Sequence, residues 1–211
     1  MRSFSDGTLF EGEAIGVYPE DGIASGEFVF NTVLCGYQEV LSDPSYAGQV
    51  ITFTYPHVGN YGVNAADNES ARTHCRGVVM RDLARRASNH RSEGGLATWL
   101  SAKGIPGVAG VDTRRLTRHI RDHGAIPGVF GIAGEGALRD ALGRARSTDG
   151  IDLVATVTDP DGRSVPSRTG RNQEDRGVGP GHQDDHRGAA GPVGFGGDRT
   201  GGHLGGRCAR T

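Results

Sequence analysis

The side chains that could do covalent chemistry are few in this 211-residue chain. Three cysteines, at positions 35, 75 and 208, form no close pair and leave one over under any pairing, so neither a disulfide framework nor a zinc cluster is indicated. They are expected to be reduced thiols. His119 and His123 stand at i, i+4, a spacing that can chelate zinc. No third ligand accompanies them, both fall on an apolar stripe, and a helix C-terminus favours cationic histidine, so packing or dipole complementation is the better reading. His182, Asp184, Asp185 and His186 resemble a metal cluster if read alone. Asp43-Pro44-Ser45 is ordinary turn chemistry, with a free hydroxyl as its one reactive group. Arg114, Arg115, Arg118 and Arg121 make a basic helix flank, read as a solvated face or as a contact for an acidic partner surface.

The elements that must position these groups alternate in type. Residues 8–17 and 26–33 are β-branched and aromatic runs, each preceded by an Asp-Gly turn signal, and are expected to be strands paired with each other. The run 49–55 is apolar nearly throughout and ends at Pro56, as a central strand covered on both faces would. Short strands are expected at 77–80, 108–111 and 129–132. Leu96, Trp99 and Leu100 mark a helix that stops before Gly104 and Pro106. Asp112 can cap a second helix whose stripe is Leu116, His119, Ile120 and His123, ending at Gly124, and 135–146 reads as a third. A strand-rich start followed by alternation implies an α+β fold.

Composition separates this part from the rest. The formal net charge is −2, which argues against a nucleic-acid or membrane-surface protein driven by bulk charge. No run approaches the ~18 apolar residues of a membrane helix, and the N-terminus has no signal-peptide h-region, so a cytoplasmic protein is expected. Within 162–211 lie 14 of the 36 glycines, and only Val165, Val178, Val193, Phe195 and Leu204 offer large apolar surface. Such a segment buries too little to offset a chain entropy of about 1–2 kcal/mol per residue, and 159–211 is expected to be a disordered, Gly/Arg-rich tail.

Three stretches are more specific than fold physics requires. They are Phe30-Asn31-Thr32 with Gly36-Tyr37-Gln38-Glu39; Asp43-Pro44-Ser45-Tyr46 leading through Thr54-Tyr55-Pro56-His57-Val58-Gly59-Asn60-Tyr61-Gly62; and Gly107-Val108-Ala109-Gly110-Val111-Asp112-Thr113-Arg114-Arg115-Leu116-Thr117. With Arg81-Asp82-Leu83 and Ser88-Asn89, they resemble the N-terminal domain of the small, glutaminase chain of carbamoyl-phosphate synthase, over residues 6–158. The resemblance implies a β/β/α domain of the swivelling type, residues 1–158, that docks on a large, ATP-using chain. In that family the complete small chain hydrolyses L-glutamine, and the ammonia is built into carbamoyl phosphate from bicarbonate and two ATP, for arginine and pyrimidine synthesis. Cofactors, ATP and metal ions are expected on the large chain and none on this one.

The family's nucleophile is a cysteine on a Gly-x-Cys-x-Gly elbow of a second, class I glutaminase domain. None of Cys35, Cys75 or Cys208 has that context, so no catalytic residue is expected here, and the isolated chain is expected to lack glutaminase activity. By match of motif, Ser45 is the residue that reaches across to glutamine bound on the missing domain. The loop 54–60 reads either as a docking loop or as a structural turn. Twenty-two arginines against the single Lys103 suggest a GC-rich gene, and 177–185 can be back-translated so that a shifted frame reads Ala-Ser-Asp-Leu-Gly-Ile-Lys-Thr-Thr, similar to the opening of the glutaminase domain. The tail is therefore expected to be a frameshift product, in which the His182 cluster is no metal site; an intact glutaminase-like frame downstream of codon 165 is what sequencing the locus must find. Two other readings stand beside this one: a non-catalytic module that docks on the large chain or on a separate glutaminase, and a genuine tail that binds nucleic acid or metal.

Overall fold

The computed structural model describes residues 2–5 and 7–158. The tail 159–211, with Cys208, the His182 cluster and the frameshift segment, lies outside the described residues. In chain order the strands are β1 (Arg2–Ser5), β2 (Thr8–Glu11), β3 (Glu13–Gly16), β4 (Ile23–Asn31), β5 (Gln49–Phe53), β6 (His57–Val58), β7 (Gly77–Val79), β8 (Asp82–Leu83), β9 (Pro106–Ala109) and β10 (Ile126–Gly131). The helices are α1 (Tyr37–Ser42), α2 (Leu96–Ala102), α3 (Thr113–His123), α4 (Glu135–Leu142) and α5 (Leu153–Val157).

Eight strands form one mixed sheet in the order β2-β1-β10-β4-β5-β7-β9-β3. The β4, β5, β7 and β9 strands run parallel, with Phe28 opposite Val50 and Val78 opposite Gly107, and the outer pairings are antiparallel. Its two edge strands, β2 and β3, are separated in sequence by Gly12 alone, so the sheet curls until its edges meet. Gly12 is where they cross: a Cβ there would lie 2.4 Å from the Ala109 carbonyl oxygen and 2.5 Å from Val108 Cγ1. The expected single strand over 8–17 therefore breaks in two. It does not pair with 26–33 either, because β4 is held between β10 and β5. Local propensity identified strand-forming residues, but pairing was decided by the long-range closure of the sheet.

The central strand is where the sequence put it. Val50 to Phe53 are buried on both faces of β5. Ile51 and Phe53 pack with Val78, Leu41 of α1 and Leu96 and Leu100 of α2. Val50 faces the other way, with Val79, Val108, Phe28, Phe130 and Leu116 and Ile120 of α3. A third, smaller cluster joins Val129 of β10 to Leu138 of α4. The period-2 alternation of side chains thus builds two helical layers on one sheet, a mixed helix and sheet architecture compatible with α+β. Asp112 caps α3 by accepting from the Arg115 amide at 3.0 Å, and Gly124, at φ 86°, ends it. The strands expected at 108–111 and 129–132 begin earlier, at Pro106 and Ile126, and α4 stops at Leu142 rather than 146. Among the described residues no helix is long and apolar enough to cross a membrane.

Candidate functional site

The motif residues gather at the end of the sheet where β4 and β5 finish, and most of them turn inward. Gly36 and Tyr37 donate their amides to the Tyr61 hydroxyl, and the rings of Tyr37 and Tyr61 stack with centroids 4.2 Å apart. Tyr37 in turn donates its hydroxyl to the Gly62 carbonyl at 2.6 Å. Burial pushes both phenols above their ordinary range. Gln38 is clamped at both ends of its amide: Nε2 donates to the Asn64 carbonyl at 2.6 Å and to Asn68 Oδ1 at 2.8 Å, and Oε1 accepts from the Asn64 amide at 3.0 Å. Gly62 needs its φ of 77°, and a Cβ there would meet Ser92 Oγ at 2.0 Å. These contacts fasten α1 to the 61–68 segment.

The loop 54–60 is part of the same structure. His57–Val58 pairs in parallel with Asp82–Leu83, the Thr54 amide donates to the Asn31 carbonyl at 3.1 Å, and the Ser88 amide donates to the Asn60 carbonyl at 2.9 Å. Of the two readings of that loop, the structural one has these bonds behind it. They also explain why Arg81-Asp82-Leu83 and Ser88-Asn89 belong with the other motifs.

Ser45 differs from its neighbours by being exposed. It sits in a single 3-10 turn, Pro44–Tyr46, where Asp43 accepts the Ser45 amide at 2.8 Å, leaving the side-chain hydroxyl without a hydrogen-bond partner among the described residues. The turn is anchored from below. Asn31, the last residue of β4, donates Nδ2 to the Tyr46 hydroxyl at 2.8 Å while its Oδ1 accepts the Val33 amide at 2.8 Å. The same asparagine thus links the Ser45 turn to an exposed apolar run, Phe30, Val33 and Leu34, of which Leu34 is 75 % exposed.

The described thiols have the wrong surroundings for attack on an amide. Burial pushes Cys75 up to about 11, and its thiol donates to the Leu41 carbonyl at 3.5 Å, the opposite of an activated thiolate. Cys35 is exposed and borders a polar hollow with Glu39, Tyr61, Asn64, Asp67, Asn89 and Arg91, whose lining includes no histidine to serve as base. His119 and His123 do lie together, their rings tilted 40° with centroids 4.5 Å apart, and His123 Nδ1 lies 2.9 Å from the His119 carbonyl. His123, however, is exposed rather than on the buried stripe, because α3 has turned its last turn out of the core. Among the described residues no three His, Cys, Asp or Glu side chains group in a way that could hold a metal ion. The basic flank of α3 is partly used within the domain: Arg115 lies over the Phe10 ring, 4.5 Å from its centroid, and Arg121 pairs with Asp122. Asn64 and Asp67 were not singled out beforehand, although the Asn-Ala-Ala-Asp spacing is a capping signal: Asn64 Oδ1 accepts the amides of Ala66 and Asp67.

Comparison with known proteins decides the family. The model of the carbamoyl-phosphate synthase small chain, CPSase domain, matches residues 3–130. The carbamoyl phosphate synthase small chain of Xylella fastidiosa is 46 % identical over 162 residues, which is 75 % of this chain and 42 % of the relative. That of Polynucleobacter necessarius is 46 % identical over 166 residues (75 % and 41 %), and that of Parasynechococcus marenigrum 47 % over 174 residues (80 % and 44 %). The chain belongs to the carbamoyl-phosphate synthase small-chain family. It spans about two fifths of the length of these relatives. The family match takes in every motif quoted above, the Ser45 turn and the Tyr37–Tyr61 stack included.

Proposed function

We propose that residues 1–158 are the docking half of a glutamine-hydrolysing carbamoyl-phosphate synthase small chain, a β/β/α domain of the swivelling type working in the cytoplasm against a large, ATP-using chain. On this reading a class I glutaminase domain supplies the nucleophilic cysteine, and the Ser45 hydroxyl contributes to holding L-glutamine there. ATP and metal ions belong to the large chain. The observation that carries the reading is the small-chain match over 3–130, with Ser45 held outward on a capped turn inside it.

What this chain contributes follows from its own groups. Asp43 fixes the backbone of the turn and Asn31 fixes its far side through Tyr46, so the Ser45 oxygen is presented with little rotational search of the main chain. A neutral hydroxyl can donate to a carboxylate or accept from an ammonium, the two ends of an amino acid. It cannot by itself hydrolyse an amide. The exposed Phe30, Val33 and Leu34 beside the turn offer apolar area to a protein partner, which supports docking and equally supports a non-catalytic module that modulates a separate glutaminase.

The test is reconstitution. The 211-residue chain is mixed with a large chain and, in a second arm, with a separately produced glutaminase domain as well, and glutamine-dependent carbamoyl phosphate is measured. With the large chain alone the rate should stay at the ammonia-free background; synthesis there, or a glutamyl adduct seen by intact mass on this chain, refutes the assignment of chemistry to another domain. Failure of the large chain to retain this one in a pull-down refutes docking. In the complete mixture, Ser45→Ala should raise the KM for glutamine, and an unchanged KM removes Ser45 from the site.

A further inference from the structure

One buried charge serves none of the contacts described so far. Glu27, in the middle of β4, is 6 % exposed. Its Oε1 accepts from the Ser147 hydroxyl at 2.5 Å and from the Thr148 amide at 3.3 Å; its Oε2 accepts from the Thr148 hydroxyl at 2.7 Å and from Gln49 Nε2 at 3.4 Å. No cation pairs with it among the described residues, so four donors carry the charge. Three of the four come from two consecutive residues of the segment that follows α4.

That segment has little else to hold it. The α5 helix contains no buried residue, Ile151 is half exposed and Val154 is 72 % exposed. Its apolar fastening is slight: the Thr148 methyl and the Leu153 side chain lie beside Gly48, and Val157 is only partly buried. Several of its other bonds, by contrast, stay within it. The Ile151 amide donates to the Thr148 carbonyl, the Leu153 amide to the Ile151 carbonyl and the Thr158 amide to the Val154 carbonyl, while Asp152 caps α5 by accepting the Ala155 amide at 3.0 Å. A segment with bonds of its own, tied to the sheet by one carboxylate and a small apolar contact, can separate without disturbing the strands beneath it.

We propose that residues 147–157 form a releasable strap that is fastened to the sheet by the Glu27 carboxylate. Its docking point is adjacent to the Ser45 turn: the Glu27 amide donates to the Gly48 carbonyl at 3.1 Å, so one residue grips the strap with its side chain and the exit of the turn with its backbone. The strap and the turn therefore share one anchoring residue. This holds whether or not Ser45 meets glutamine.

Hydrogen exchange followed by mass spectrometry on the full 211-residue chain tests it. Glu27→Gln removes the charge and replaces one acceptor by a donor; exchange across 148–158 should then accelerate by ~10-fold or more, while β5 keeps its wild-type protection. Thr148→Val, which removes one donor of the four, should accelerate the same peptides by a smaller factor. Unchanged exchange in 148–158 overturns the proposal. So does equal acceleration in β4 and β5, which would make Glu27 a general support of the sheet. Should Glu27→Gln fail to fold, the Ser147→Ala, Thr148→Val double variant, which leaves the carboxylate bonded to the Thr148 amide and Gln49, is judged by the same two criteria.

Discussion

Replacing Gln38 by leucine should destabilise the domain severely, whereas replacing Ser45 by alanine, in the neighbouring motif, should not. Gln38 is 1 % exposed, and its amide makes three hydrogen bonds, two of them to the backbone of Asn64. Leucine has nearly the same volume, so the cavity contribution is small and the loss is polar. Three bonds at about 1 kcal/mol each, with the Asn64 amide and carbonyl left to find water in a half-buried loop, come to ~3–4 kcal/mol. For a domain of this length each kcal/mol lowers the Tm by about 2–4 °C, so a fall of ~10 °C is expected. In urea, with a slope of ~2 kcal/mol/M, the midpoint should move down by ~1.5–2 M while the slope itself stays constant. Ser45 is exposed, and removing its hydroxyl should change stability by less than ~0.5 kcal/mol. Paired urea titrations of the two variants read both effects. A cost below ~1 kcal/mol for Gln38→Leu, or equal costs for the two, would refute the division of the motifs into an inward lock and an outward hydroxyl.

Three further outcomes are expected. Burial alone would raise the Glu27 carboxyl, but the bonds from Ser147, Thr148 and Gln49 hold it below the usual carboxylate range, so the stability it contributes is present above the unfolded value of about 4.3 and is lost as pH falls through the lower folded value. Urea midpoints measured from pH 6 downward should thus fall more steeply for the wild type than for Glu27→Gln, and parallel curves would contradict the assignment. With Cys75 near 11, only about one thiol in a thousand is ionised at pH 8, so iodoacetamide should modify the exposed Cys35 at least ~10-fold faster, as read by peptide mass, and equal rates would show Cys75 to be accessible. Gly12→Val should disrupt the meeting of β2 and β3, because its Cβ would have to occupy the space of the Ala109 carbonyl; a loss of several kcal/mol in thermal unfolding is expected, on the order of the ~1–3 kcal/mol of ordinary overpacking or more, and a neutral variant would show that the edges can part.

How much of this was legible beforehand depends on whether a residue's partner is near it in sequence. The β5 strand announced itself because both faces are apolar, and α3 because cap, stripe and terminating glycine all lie within thirteen residues. The β1 strand, Arg-Ser-Phe-Ser, has no such pattern and exists because β10 and β2 offer it hydrogen bonds. The α1 helix, six residues with a left-handed Gly36 before it, was equally silent; its stability comes from Tyr61 and Asn64, more than twenty residues away. Glu27 reads in the sequence as the polar member of an alternating strand, and nothing local says that Ser147 and Thr148, 120 and 121 residues later, will close over it.

The same distinction bears on what the family motifs mean. Asn31, Tyr37, Gln38, Tyr61 and Gly62 look like functional residues in a sequence because they are polar, aromatic or glycine at fixed spacing. Their atoms are nevertheless spent on one another: the Tyr61 hydroxyl on two amides, the Tyr37 hydroxyl on a carbonyl, the Gln38 amide on Asn64 and Asn68. A group whose hydrogen-bonding capacity is consumed inside the fold has little left to offer a substrate, and making it available would cost the bonds it already has. Ser45 is the exception within the turn it shares with Tyr46, since Asp43 and Asn31 take up the backbone amide of the one and the phenol of the other while the serine hydroxyl stays outside. Most of the residues that lock the motifs together are therefore not the ones left free to act. A match of motifs is strong support for the family and its fold, and support for chemistry only as far as its exposed polar groups, Ser45 among them, reach.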